Sequence, residues 1–483
     1  MPGGLRLEWE RDVAGRPTAR RTTRRDAGAV GPSPLPRELD VLVYQWRGED
    51  QIGALIDPNR GARFFDHDRR GRLIRERRNG ATLERAMDPA GNVYRRADRA
   101  DRRYGPGGVL LEAEAPGGEG TVRYTHDADG NQTERLEPDG TRWRYRYDRH
   151  GLLRDVERVP PRAADAGPLP PPDLRLSFAY DAFARRVEKT VVALGPDGEE
   201  QSRRETRFVW DGHVVAHELD SQDGLTTWYW EPDTFTPVAK ESAGRYYSIA
   251  SDHLGTPTEM YDELGELAWR MQLDVFGVPT FEAGGASDCP WRWPGQYEDV
   301  ETGEYYNRWR WYDSRRGRFT TGDPIGPGGG LNLYGYVPCV LLWTDPHGLA
   351  RTPLRGGDID AYGNFNAAGR VGDGLAGHEL LQNAWLQAHG YNTAGHGVGA
   401  ASRGNPAVAL GHDAHRQVSR AQRDAGLFRR SNLLRMRASE NIARNAQILR
   451  ELGTPEYQVR VLEREARQHA ARVLWAARRQ KPC

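Results

Sequence analysis

Apolar and polar positions alternate with period two along short runs between residues 60 and 290, most cleanly in Thr141-Arg-Trp-Arg-Tyr-Arg-Tyr147. That is the pattern of strands with one buried face. Between the runs an aspartate stands three residues before a glycine: Asp68/Gly71, Asp88/Gly91, Asp127/Gly130 and Asp148/Gly151. The glycines are spaced by 20, 39 and 21 residues, so the middle interval reads as two periods with one copy lost. Tyr180-Asp-Ala-Phe-Ala184, with Ala in place of Gly, and Tyr261-Asp-Glu-Leu-Gly265 continue the series. Asp caps its own turn and Gly supplies the positive φ. One such hairpin cannot bury its face alone, so neighbours must stack into a continuous sheet. Pro160-Pro161 and the run Pro168–Pro172 predict an exposed loop or seam in that array.

Beyond residue 350 the period changes. Arg351–Gly374 is glycine-rich and predicts a β-hairpin or two. Gly377-His378-Glu379 then opens a helical pattern with Leu380, Leu381, Ala384, Trp385 and Ala388 on one face, stopped at Gly390. After a polar glycine loop, Asn405-Pro-Ala-Val-Ala-Leu410 leads into a second helix. His412 and His415 sit at its start, and Val418, Ser419 and Gln422 lie on the His415 side. Ser439 caps a third helix with Ile442, Ala446 and Leu449 inward and Gly453 as its stop. Thr454-Pro455 starts the last one, with Val459, Leu462, Ala466, Ala470 and Val473 inward. The segments expected are 1–59 (irregular or β), 60–290 (β repeats), 291–349 (a core that carries the two Asp-Pro turns) and 350–483 (α-rich, α+β).

Composition narrows the function classes. The 483 residues are 37% hydrophobic and 28% charged, and 14 Trp, 20 Tyr and 11 Phe are too many aromatics for a disordered chain. The longest apolar stretch, Tyr336–Trp343, is far below the ~20 residues of a membrane span. MPGGLRLEWERD has no apolar core of a secretory signal. Three distant cysteines exclude a disulfide scaffold and a cysteine zinc site. Net charge is zero, but Arg351–Cys483 holds 20 Lys and Arg against 11 Asp and Glu, a balance of +9, and the rest carries −9. A basic segment suits a polyanionic partner.

Two constellations can carry chemistry. Asp323-Pro-Ile-Gly326 and Asp345-Pro-His-Gly348 are near-copies 22 residues apart. Two carboxylates held together share one proton, so one activates water while the other donates. In the basic tail, His378, Asn405, His412 and His415 stand in the order of a phosphodiester-cutting site. Such a site needs an imidazole to deprotonate water, a divalent ion on the phosphate and an Asn carbonyl to orient the imidazole.

The repeats are followed by His253-Leu-Gly-Thr-Pro257 and Trp291-Arg-Trp-Pro-Gly-Gln-Tyr297. After these come Glu301-Thr-Gly-Glu-Tyr-Tyr-Asn-Arg-Trp-Arg-Trp-Tyr-Asp313, Gly317-Arg-Phe319 and Trp343-Thr-Asp-Pro-His-Gly-Leu349. Over residues 60–349 the chain resembles the rearrangement-hotspot (Rhs, or YD-repeat) proteins. The resemblance implies a mainly β YD-repeat sheet, part of an Rhs shell, followed by an α-rich α+β toxin domain. It also implies self-cleavage at Leu349–Ala350 by aspartyl-protease chemistry of Asp323 and Asp345, with Asp313 a weaker candidate. A cognate immunity protein, a secretion apparatus that needs no signal peptide, and action in the cytoplasm of a competitor cell are implied as well. Residues 377–422 resemble the HNH/endonuclease VII (His-Me finger) nucleases. That likeness implies His378 as general base, Asn405 as its orienter and His415 as principal ligand of a Mg or Zn ion, with Glu379 and His412 as further ligands. Which of His378 and Glu379 is base and which is ligand stays open. Arg416, Arg420 and Arg423 are the nucleic-acid contacts expected, with DNA favoured over RNA. The competing readings are another toxin class, an RNase or a metal-independent cytotoxin, and a non-enzymatic repeat protein.

Overall fold

The structure, a computed structural model, describes residues 4–12, 16–24, 37–48, 51–161, 169–232, 234–330, 332–349, 359–361, 375–391, 406–454 and 456–479. The chain divides into two compact units, Met1–Thr352 and Pro353–Cys483. Among the described residues the first unit is built of antiparallel meanders. Seven strands from Leu5–Arg11 to Ala81–Glu84 form one sheet and sixteen from Arg102–Tyr104 to Pro279–Ala283 form another, each strand beside its sequence neighbour. The alternation read from the sequence is the burial alternation: Trp143 and Tyr145 are buried while Arg144 is exposed. Residues 1–59 contribute four strands to the first sheet.

The repeat turns share one hydrogen-bond scheme. Asp127 Oδ1 accepts the N–H groups of Asp129 (3.0 Å) and Asn131 (2.8 Å), and the Gly130 N–H returns to the Asp127 carbonyl at 3.1 Å. Asp148, Asp181 and Asp262 do the same. Gly130 has φ +83°, and Ala184 is held at +58° where its siblings carry glycine. Two turns outside the counted series, at Asp252 and Asp274, follow the scheme too. Pro160-Pro161 and Leu169–Pro172 lie in a partly exposed loop as expected, but the sheet continues across it. Leu153–Val159 and Leu174–Tyr180 pair directly, Arg158 opposite Leu174, because the prolines fall between the strands and remove no ladder donor. Residues 162–168 of that connection lie outside the described ones.

These turns give the first unit an acid limit. Donor hydrogen bonds and neighbouring arginines hold the Asp68, Asp148 and Asp181 carboxyls below their ordinary value against the opposing effect of burial, and Asp220 is pulled down to about 2. A depressed carboxyl contributes stability that is complete above its unfolded pKa and lost as pH falls through the folded one. The melting temperature of this unit is therefore expected to fall steadily from about pH 4 towards about pH 2, measured by thermal denaturation followed by tryptophan fluorescence.

The block 291–349 packs on the inner faces of these sheets. Its four-stranded sheet runs Tyr297–Asp299, Glu304–Asn307, Arg310–Asp313 and Arg318–Phe319, and the middle two strands are wholly buried. Tyr306 and Trp311 join the cluster of Trp143, Tyr145, Leu176 and Phe178. Ion pairs lock the block to the repeats: Arg186 and Lys189 reach Asp299 at 2.6 and 2.9 Å, and Arg135 reaches Glu304 at 2.8 Å. Cys289 and Cys339 are buried thiols.

In the second unit Pro406–Gly411 is the central strand between Ile359–Ala361 and Leu375–Glu379, all antiparallel. Five helices are described: α1 Asn383–Ala388, α2 His412–Asp424, α3 Arg430–Arg435, α4 Ala438–Glu451 and α5 Glu456–Arg479. Gly377-His378-Glu379 does not open a helix as expected but ends a strand, with His378 opposite Val408. A short apolar run reads the same in either period, and backbone pairing with 406–411 decides it. Arg437, not Ser439, stands at the N-cap of α4, and α3 was not expected. Gly453 does stop α4, at φ +86°, and Ile442, Ala446, Leu449, Val459, Leu462 and Ala466 are buried as expected. Among the described residues no helix is long and apolar enough to cross a membrane.

Candidate functional site

The buried platform of the first unit brings the two Asp-Pro turns together around a residue that sequence reasoning passed over. Arg310, 2% exposed, opens the strand Arg310–Asp313. Its Nη2 stands 3.1 Å from Asp323 Oδ2 and 3.1 Å from Asp345 Oδ2, so the two carboxylates converge on one nitrogen. Its Nη1 donates to the Leu333 carbonyl at 3.1 Å, its Nε donates to the Gly348 carbonyl, and its guanidinium lies 3.6 Å over the Phe319 ring. Both aspartate side chains are nearly inaccessible to solvent.

Each turn keeps part of the repeat scheme. Asp323 Oδ1 accepts the Ile325 N–H at 3.0 Å, and the Gly326 N–H returns to the Asp323 carbonyl at 2.9 Å. Asp345 Oδ1 accepts the Leu349 N–H at 3.0 Å. The remaining oxygen of Asp323 points at the end of the unit. A Cβ placed on Gly329 would overlap both Asp323 Oδ2 and the Leu349 carbonyl oxygen, so these two atoms crowd one small space over a residue without a side chain. Asn307 Nδ2 donates to the Asp345 carbonyl at 2.9 Å, and the His347 ring is held edge-on by His213 and Phe235. Burial pushes the Asp323 carboxyl above its usual value, with Arg310 opposing. Asp313 is spent on its own turn, accepting the Arg316 N–H at 3.2 Å. Ala350 lies outside the described residues.

In the second unit His378 and His415 face each other, ring centroids 5.5 Å apart at 70°. His378 is buried, and its Nε2 lies 3.1 Å from Gln422 Nε2, whose amide also donates to Asn445 Oδ1 at 2.6 Å. Asn445 in turn donates to the Leu380 and Asn441 carbonyls, and Asn441 pairs with Gln382. The orienting partner of His378 among the described residues is thus Gln422, whereas Asn405 lies outside them. Burial first, then the neighbouring His415, lowers the His378 imidazole to about 3, which keeps it neutral at physiological pH. His415 is half-buried on α2.

Glu379 follows His378 directly in the strand, and successive strand residues project to opposite faces. His412 opens α2, but its side chain is outside the described part. Among the described residues no group of three or more His, Cys, Asp or Glu is placed to hold a metal ion. Arg416, Arg420 and Arg423 lie exposed on α2. Two signals for the polar network were present in the sequence: Gln422 on the His415 face, and Asn441 and Asn445 intruding at i, i+4 on the apolar face of α4.

The RHS protein family pattern matches residues 246–282 and the RHS Repeat pattern residues 126–162. "Double-stranded DNA deaminase toxin A" of Burkholderia cenocepacia is 33% identical over 354 residues, covering 67% of this chain and 23% of that protein. "Toxin protein Tse5" of Pseudomonas aeruginosa is 30% identical, covering 72% and 31%. "Probable deoxyribonuclease RhsA" of Dickeya dadantii is 27% identical, covering 73% and 25%. The chain thus spans only about a quarter to a third of the length of these relatives.

Proposed function

Because the chain belongs to the Rhs repeat family, we propose that its β unit is a carrier that cuts itself after Leu349 and releases the basic second unit as a toxin acting on nucleic acid. The observation that carries the first half is the convergence of Asp323 and Asp345 on Arg310 Nη2, with the Leu349 N–H on one carboxylate and the Leu349 carbonyl beside the other. One guanidinium can balance one carboxylate, so in this dry site the second holds a proton. Asp323 is the protonated member, raised by burial and placed to donate to the Leu349 carbonyl oxygen. Asp345, fixed by Arg310 and the Leu349 N–H, is the ionised one. Asp345 takes a proton from a water attacking the Leu349 carbonyl carbon. When the carbon–nitrogen bond to Ala350 breaks, Asp345 passes the water proton to the leaving nitrogen and Asp323 recovers its own proton as the carbonyl re-forms, so the water oxygen stays on Leu349 in the new carboxyl group and the amine leaves protonated.

Gly329→Ala tests that geometry without removing a chemical group. The added methyl must displace Asp323 or the Leu349 carbonyl, and the chain is expected to stay uncut for hours where the parent is processed, read by intact mass. Processing at the parental rate would remove the proposed placement of Asp323.

For the released unit, the +9 balance supplies phosphate affinity, and two of the three relatives bear names of enzymes acting on DNA. The half-buried His415 is assigned as the imidazole that meets the substrate, because it faces the fully buried His378 from α2, and His378 with Gln422 positions it. No step here runs through a metal. Plasmid and total RNA incubated with the processed protein should be degraded, and His415→Ala should slow this by about 10²–10⁴-fold. Intact nucleic acids of both kinds would remove the nuclease reading.

A further inference from the structure

A groove of about 640 Å³ in the second unit lies apart from the His378–His415 pair and belongs to no role assigned so far. Its floor is aromatic. The rings of Trp385 and His389 stack 4.1 Å apart at 27°, and those of His389 and Tyr391 are parallel within 5° at 6.3 Å. Trp385 is buried and tied by its indole N–H to the Met436 carbonyl at 2.8 Å, so it anchors the stack, while His389 and Tyr391 are half-buried. The His389 ring is fixed by its Nδ1, 3.0 Å from the Trp385 carbonyl. Arg435, Arg437 and Arg467 stand along the rim. Arg435 and Arg437 are exposed and make no ion pair among the described residues; Arg467 pairs with Glu463 at 2.8 Å.

We propose that this groove binds single-stranded nucleic acid, its bases stacking on His389 and Tyr391 and its phosphates meeting Arg435, Arg437 and Arg467. Flat rings held nearly parallel beside guanidinium groups are the combination that tracks an unpaired strand. A duplex hides its base faces within its own stack and could offer the rim only phosphates. The volume lies in the range that encloses a nucleotide-sized ligand. Among possible occupants the charge decides: Arg351–Cys483 carries +9, and Arg435 and Arg437, which make no ion pair among the described residues, stand beside an apolar floor. The proposal rests on and deepens the nucleic-acid reading above, giving the released unit a preference for unpaired substrate at a groove that neither His378 nor His415 lines.

The test is fluorescence anisotropy on the full chain with three labelled probes: a twelve-residue oligothymidylate, an abasic strand of equal length, and a twelve-pair duplex. The thymidylate should bind at least about tenfold tighter than the abasic strand. Tyr391→Ala should erase that difference, and Tyr391→Phe should retain it, which separates stacking from misfolding. Arg435→Ala with Arg437→Ala should weaken both strands and lower the slope of log K against log salt by about 1.4. Equal affinity for the thymidylate and abasic strands, tighter duplex binding, insensitivity to Tyr391→Ala, or no binding at all would each overturn the groove assignment. Binding and degradation are read separately. Base-dependent binding without degradation removes the nuclease reading and leaves the groove, whereas degradation with no base-dependent binding does the reverse.

Discussion

Asp345→Asn is expected to leave the protein as one uncut 54.3 kDa chain under conditions in which the parent yields two fragments, and Asp323→Asn should do the same. The asparagine keeps the shape of each turn and its capping acceptor, so the β unit should fold in both. What it removes differs. Without the Asp345 carboxylate nothing takes the proton of the attacking water; without the Asp323 acid the Leu349 carbonyl loses its donor. Each loss is worth about 10²–10⁴-fold in rate. The pH profile distinguishes them in the parent. The reactive form carries a proton on Asp323 and none on Asp345, so the profile should be bell-shaped, and because burial raises the Asp323 carboxyl its alkaline limb should fall as pH rises through that raised value. Timed intact-mass measurements from pH 4 to 9 supply the profile. A rate that still climbs at the alkaline end of that range, or a cut that persists in either asparagine variant, would remove the dyad.

The same turns explain what the sequence could and could not tell. An aspartate three residues before a glycine closes its own hydrogen bonds within five residues, so Asp127, Asp148 and Asp262 were legible as turns with no tertiary information. Asp323 and Asp345 cap such turns too, and their convergence on Arg310 is the part that no local pattern announces. Arg310 was hidden because its partner Asp345 is 35 residues away and nothing local marks it. Its strand is buried on both faces, which erases the alternation that made the repeats readable. In the second unit the inward faces of α4 and α5 followed helical period and were readable. Leu375–Glu379 was not, since five residues with one imidazole carry too short a pattern to separate strand from helix start. The histidine pair itself was visible as His378 and His415, but its orientation through Gln422 depends on contacts 44 residues apart.

Arg310→Gln should both unfold the β unit more readily and abolish the cut, and the stability loss should be largely reversible by second-site changes. Removing the guanidinium that both carboxylates share, at side chains with almost no solvent access, leaves buried charge less well compensated, a defect that costs about 3–5 kcal/mol. If the charges are the cause, adding Asp323→Asn and Asp345→Asn to Arg310→Gln should restore most of that stability, because neutral amides no longer need the guanidinium. Cleavage should stay absent in the triple variant. Urea denaturation followed by tryptophan fluorescence measures the cycle, and the coupling between positions 310, 323 and 345 is what it reports. A triple variant as unstable as Arg310→Gln alone would mean that the guanidinium acts through the Phe319 ring and the Leu333 and Gly348 carbonyls instead. In that case the two aspartates would be neighbours of a structural arginine and not an acid pair made to share a proton.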